Sequence, residues 1–130
     1  MKMKVHETPR TFTVGLSTQV ELRDCAHIEL AADEQVTFVT TSGGGGGGEL
    51  DVVRKAWGFY ATPSLNSRLV RKGLRAALVR NRLGHFFIVL IESGKEAGFE
   101  QYAADEELTH VAWMDRSEAL ERIACAVAGT

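Results

Sequence analysis

From Val20 to Leu30 the chain alternates with a period of two. Val20, Leu22, Ala26, Ile28 and Leu30 fall on one side, and Glu21, Arg23, Cys25, His27 and Glu29 on the other. A helix repeats every 3.6 residues and would scatter these apolar groups around its surface, whereas a strand sends alternate side chains to opposite faces. The segment therefore predicts a long strand with one apolar face, which needs both a neighbouring strand and a cover. Asp24 interrupts the apolar side and predicts a bulge or strand boundary there.

The rest of the first half follows the same pattern. Phe12, Val14 and Leu16 share one face of a strand over Thr11 to Leu16, and Ala31-Ala32-Asp33-Glu34 reads as a connection. Gln35 to Thr41 is rich in β-branched residues and reads as the next strand. Glu49 to Ala61 reads as one further strand, with Gly58 hinting at a bulge. Between these two lies a run of six glycines, Gly43 to Gly48. As a flexible chain it spans about 12–15 Å, enough for a slack hairpin loop. A phosphate cradle needs a fixed path into a helix N-terminus, and the Glu49-Leu50-Asp51 that follows would repel phosphate.

Pro63 disfavours helix at Thr62, so residues 62–66 read as irregular. Ser67 to Asn81 admits two readings. As a helix, Leu69, Val70, Leu74, Ala77 and Leu78 line one side; as a strand, Leu74, Ala76 and Leu78 alternate with Arg75, Ala77 and Val79. Gly73 weighs against one long helix, and Asn81-Arg82-Leu83-Gly84 looks like a hairpin loop into a strand from His85 to Glu92, so the hairpin is preferred. Ser93 and Glu96 have capping-box spacing ahead of a helix to about Leu108, which would turn Phe99, Tyr102 and Ala103 inward. Thr109 to Met114 reads as a short strand. Asp115 could cap a last helix striped by Leu120, Ile123, Ala124 and Val127, with Met114 and Ala119 as a hydrophobic staple.

These elements predict a single α+β domain over residues 1–130: a mainly antiparallel sheet from the N-terminal strands, with two C-terminal helices packed on one face. Its parts are a strand-rich region (10–61), a basic loop and strand region (62–92), and a helix–strand–helix ending (93–128). A chain of 130 residues is long enough to fold without metal or disulfide. The longest apolar run, Phe86 to Ile91, is far too short to span a membrane. The first ten residues lack the apolar core of a signal peptide, and the two cysteines, Cys25 and Cys125, read as reduced thiols of a cytoplasmic protein.

The formal net charge of −2 hides a segregation. Arg54 to Arg82 holds eight basic residues and no acidic one; residues 1–53 carry four basic and eight acidic groups, and residues 83–130 three and nine. Segregated charge calls for an anionic ligand, a polyanion or the protein's own acidic surfaces. Arginine forks match phosphate and carboxylate oxygens, and loops carry binding groups. The leading expectation is a small, non-catalytic binding or accessory module. It would hold a phosphorylated or carboxylated small molecule with Arg68, Arg71, Lys72 and Arg75, oriented by Tyr60, Thr62, Ser64 and Asn66. Trp57 and Phe59 are expected in the core, and some cations are expected to pair with the acidic C-terminal helix.

Two alternatives stand beside it. One is a homo-oligomeric protein–protein interaction module, such as a homodimer docking its basic face on acidic surfaces of a second copy. The other is an enzyme acting on a sugar phosphate or nucleotide with Cys25, His27 or Tyr60 as acid–base group. The acidic flanks and the pI near 6.1 speak against nucleic acid. Cys25, His27 and Glu29 share a strand face but span about 13 Å, too far to meet one ion. No cofactor and no metal is expected.

Overall fold

The computed structural model describes residues 1–40 and 47–129. Most of the glycine-rich segment, 43–46, lies outside the described residues; Gly47 and Gly48 lie within them. Among the described residues there are three antiparallel sheets and three helices. β1 (Lys2–Val14) pairs with β2 (Val20–Glu29) as a two-stranded hairpin. β3 (Gln35–Val39), β4 (Glu49–Lys55) and β5 (Gly58–Ala61) form the second sheet in that order. β6 (Leu74–Arg80) lies between β7 (Phe86–Glu92) and β8 (Thr109–Trp113) in the third. The helices are α1 (Arg68–Arg71), α2 (Glu96–Asp105) and α3 (Ser117–Ala128). The α+β class read from the sequence is the class observed. No helix among the described residues is long and apolar enough to cross a membrane.

The break expected at Asp24 is present, but the extra residues are in the other strand. The register runs Met3↔Ile28 and Val5↔Ala26, then resumes at Arg10↔Asp24. Pro9 lies in this bulge, where its missing N–H costs the ladder nothing. Glu49 to Ala61 is two strands rather than one. A tight turn at Ala56-Trp57 joins β4 to β5, and Gly58, with φ of +145°, leaves that turn instead of making a bulge.

The ambiguity over residues 67–81 resolves into both readings in succession. One helical turn, α1, ends at Arg71, and after the turn at Lys72-Gly73 the chain enters β6 and its hairpin partner β7. Gly73 has a φ of +84°, and a Cβ there would come within 2.4 Å of the Gly47 carbonyl oxygen, so only glycine makes this switch without strain. Leu69, Leu74 and Ala76 form the core beside it, with Leu50, Leu65, Leu90 and Met114 packed around them. The alternate residues of β6, Ala77 and Val79, are buried on the opposite face, where α2 contributes the buried Ala103. On that side Phe99 of α2 meets the edge of His110 at 5.3 Å, and His110 meets Trp113 at 4.7 Å.

Both expected helix caps are replaced. α2 starts at Lys95 rather than Ser93, with no side-chain cap; the Glu96 carboxylate reaches back to the Gly94 amide at 2.6 Å. α3 starts at Arg116, because the Asp115 carboxylate is committed to Arg75. No residue of α3 is buried.

Candidate functional site

The cations that were to receive an anion are largely engaged within the molecule. Asp51 on β4 is 5% exposed; its carboxylate accepts from the Thr37 hydroxyl at 2.6 Å and from Arg68 Nη2 at 3.0 Å. Two hydrogen bonds satisfy a buried carboxylate that would otherwise strongly destabilise the fold. Lys72 pairs with Glu49 at 3.3 Å, and Arg71 donates to the Ser67 hydroxyl at 2.9 Å.

Arg75 is held most completely. Its Nε donates to Asp115 at 2.7 Å, Nη2 to the other Asp115 oxygen at 3.3 Å, and Nη1 to Glu96 at 3.2 Å. Its guanidinium carbon lies 3.7 Å from the centre of the Trp113 ring. The bidentate bond to Asp115 chiefly, with Glu96 adding to it, raises the guanidinium pKa against the opposing effect of burial. Glu96 is held below the ordinary carboxylate value, first by its own backbone amide and then by Arg75.

The polar residues of the expected site part company with the cations. Tyr60, Thr62 and Ser64 line a cleft of about 530 Å³, whose other walls include Leu50, Leu65, Ile88 and Leu90. No arginine or lysine lines it. The Thr62 hydroxyl is buried without a hydrogen-bond partner, while Ser64 Oγ accepts from the Arg68 amide at 2.9 Å. Asn66 turns away and donates to the Ser117 hydroxyl at 3.1 Å. No carboxylate pairs, among the described residues, with Arg54, Arg71 or Arg80, and these three lie on β4, α1 and β6. The expected pairing with the C-terminal acidic region does occur, through Glu96 and through Glu107, 3.7 Å from Arg82. Sequence reasoning missed Asp51 and Asp115 as the groups that neutralise the segment; Asp51 sits between Leu50 and Val52 in β4, and Asp115 follows the short strand β8, and each is nearly buried against a distant arginine.

Cys25 is exposed, and its thiol lies 3.5 Å from the Arg23 carbonyl oxygen. His27 and Glu29 border a separate hollow of about 440 Å³ with Arg54, Trp57 and Phe59. Among the described residues no three His, Cys, Asp or Glu side chains come together to hold a metal.

The larger feature is apolar. Trp57 is 72% exposed and Phe59 64%, against their expected place in the core: they lie at the turn between β4 and β5, beside the open hollow they share with His27 and Glu29. Among the described residues the buried core is eight aliphatic residues, three of them alanines, whereas 22 large apolar or aromatic side chains are exposed. The accessible surface is 9219 Å². A compact monomer of 14.2 kDa is expected to expose about 6,800 Å². The seven residues outside the described set could supply at most about 750 Å² of the difference, by the unfolded-chain relation. A surplus of roughly 1,700 Å² remains, within the range of about 1,000–2,500 Å² that each partner of an obligate homodimer buries. Compared with known proteins, the chain matches no family model, no curated sequence and no solved structure.

Proposed function

We propose that this chain is a non-catalytic, self-associating protein–protein interaction module. The observation that carries the reading is the surplus of apolar surface: a sequence that is 45% hydrophobic leaves 22 large apolar or aromatic side chains in water. Monomers rarely expose apolar patches beyond a few hundred Å², and larger ones mark places where another molecule sits. The anion-binding alternative is less well supported, because an incoming phosphate would have to displace carboxylates from Arg68, Lys72 and Arg75.

Sedimentation equilibrium from low to high micromolar chain concentration tests this. The expected result is a stable oligomer with a thermal midpoint that rises with concentration, as linkage requires when only the folded chain associates. A monomer throughout that range would overturn the reading. A selective rise in midpoint with phosphate or a sugar phosphate, in a monomer, would return the basic segment to first place.

A further inference from the structure

The self-association just proposed leaves open which surface joins the copies, and the β1–β2 hairpin carries the strongest indication. Two paired strands alone are marginal in water, and one of this length, roughly 40 Å, needs a cover along one face. Alternation puts Val20, Leu22, Asp24, Ala26 and Ile28 on a single face of β2. The register places Val14, Phe12, Arg10, Val5 and Met3 opposite them. Phe12, Val14, Val20 and Leu22 at the tip, and Met3 and Val5 at the base, are all between 41% and 61% exposed. The reverse face of β2 carries Glu21, Arg23, Cys25, His27 and Glu29, which suit water.

The apolar face has an internal symmetry. Two apolar ends flank one charged rung, Arg10 opposite Asp24, whose side chains lie 3.7 Å apart. Arg10 is 79% exposed, so its guanidinium can reach outward from the face. A two-fold axis through this rung would lay the tip of one hairpin on the base of another. It would also bring each arginine to the other copy's aspartate. A surface complementary to itself under a two-fold rotation is what an isologous dimer requires.

We infer that the apolar face of the β1–β2 hairpin is the contact between two copies of this chain, stacked face to face in antiparallel orientation about an axis through Arg10 and Asp24. The second copy is favoured over an unrelated partner by this self-complementary charge, and by a surplus surface of homodimer size. The inference rests on the self-association reading and can fail without it.

The test uses the full chain with four variants: Leu22→Asp on the apolar face, Glu21→Lys on the polar face as control, and the charge reversals Arg10→Asp and Asp24→Arg. Sedimentation velocity reads the oligomer, and circular dichroism checks the fold. Leu22→Asp should weaken self-association at least a hundredfold, and Glu21→Lys should leave it within threefold. Arg10→Asp and Asp24→Arg should each weaken it at least tenfold alone, through like charges meeting at the axis. An equimolar mixture of those two should recover association, since one face is then wholly acidic and the other wholly basic at the rung. A folding defect would not be repaired by mixing. Wild-type chain that is oligomeric, with all variants unchanged, would overturn the hairpin and leave the self-association reading standing. Loss of association in both reversals without recovery on mixing would overturn the two-fold register. Monomeric wild-type chain would overturn both proposals.

Discussion

The two ends of this molecule solve the problem of an amphipathic sheet in different ways. In the sheet β7–β6–β8, the central strand is covered on both faces: Leu74 and Ala76 lie against Leu69, Leu50 and Leu65, and Ala77 and Val79 are buried on the α2 side. In the β1–β2 hairpin the same alternation produces an apolar face left largely exposed: Phe12, Val14, Val20 and Leu22 are 41–52% exposed. The rest of the chain meets the hairpin at its ends, where Leu16 and Ser17 bond to Glu106 and Asp105 and Ile28 borders the hollow beside Trp57. The pattern of residues is alike; what differs is whether a covering element follows in sequence. After β7 comes a helix, and its Ala103 reaches the core. After β2 comes another strand, which pairs elsewhere. An alternating strand states that it needs a cover, and the topology decides whether the chain supplies it.

Stability should therefore be concentrated at the junction of α1 and β6, and substitutions there should have the largest effects. Leu69, 1% exposed, is enclosed by leucines. Leu69→Ala should cost about 2–5 kcal/mol, as buried leucines do when the surroundings cannot collapse into the space. Urea unfolding at one fixed chain concentration, low enough that the chain is monomeric, measures it. Leu22→Ala, on the 43% exposed hairpin position, should cost well under 1 kcal/mol in the same experiment. Equal costs at the two leucines would end the contrast between the regions.

The second largest effect should follow from Arg75→Ala. It leaves the Asp115 side chain, 9% exposed, without its main partner. Breaking such a pair costs about 3 kcal/mol, the low end of the range for buried ion pairs, because the guanidinium keeps 21% of its own surface exposed. Arg75→Lys should recover only part of this, since an ammonium can neither form the bidentate bond nor lie flat on Trp113. Full stability in Arg75→Ala would mean the cluster is loosely held and free to take an anion.

The α+β class was legible because alternation over Val20–Leu30 and the switch to helical spacing after Glu92 are strong signals, whereas the division of the strands into three sheets, and of Glu49–Ala61 into two strands, was not. The short α1 was half visible: Gly73 marked the break, but one helical turn followed at once by a strand has too few residues to show a period. The site was less legible. Clustering of Arg68, Arg71, Lys72 and Arg75 in sequence suggested convergence, whereas a turn of helix and a strand send them to four different neighbours. Local spacing showed the cations, but their carboxylates come from residues 17 to 40 positions away. Trp57 was misplaced for a related reason: hydrophobicity predicts burial only where some other element closes over the residue, and at the β4–β5 turn the end of β2 only borders an open hollow.

Acid should act on the covered sheet through identifiable groups. Glu96 is held below its ordinary value of 4.5 by its own amide and then Arg75, and Glu92 by Lys95 and then Thr40. A depressed carboxylate contributes stability that is complete above its unfolded value and is lost as pH falls through the folded one. Unfolding midpoints should thus be level above pH 4.5 and decline below it. Glu96→Gln, which keeps a hydrogen-bonding amide and removes the titration, should flatten part of that decline. An unchanged decline in Glu96→Gln would move the acid sensitivity to other carboxylates.

The smallest effect separates the two readings of the basic segment. Lys72 and Glu49 are 37% and 49% exposed at 3.3 Å, a geometry in which solvent screens most of the attraction. Lys72→Ala should cost about 0–1 kcal/mol, and the wild-type cost should shrink further in molar salt. What distinguishes the readings is the response to phosphate. If Lys72 only meets Glu49, phosphate should act on wild type and Lys72→Ala alike, through general exclusion from the surface. If it belongs to an anion pocket, millimolar phosphate should stabilise wild type and lose that effect in the variant, with sulfate behaving the same way and chloride not. Equal phosphate responses would leave the basic segment as internal bracing.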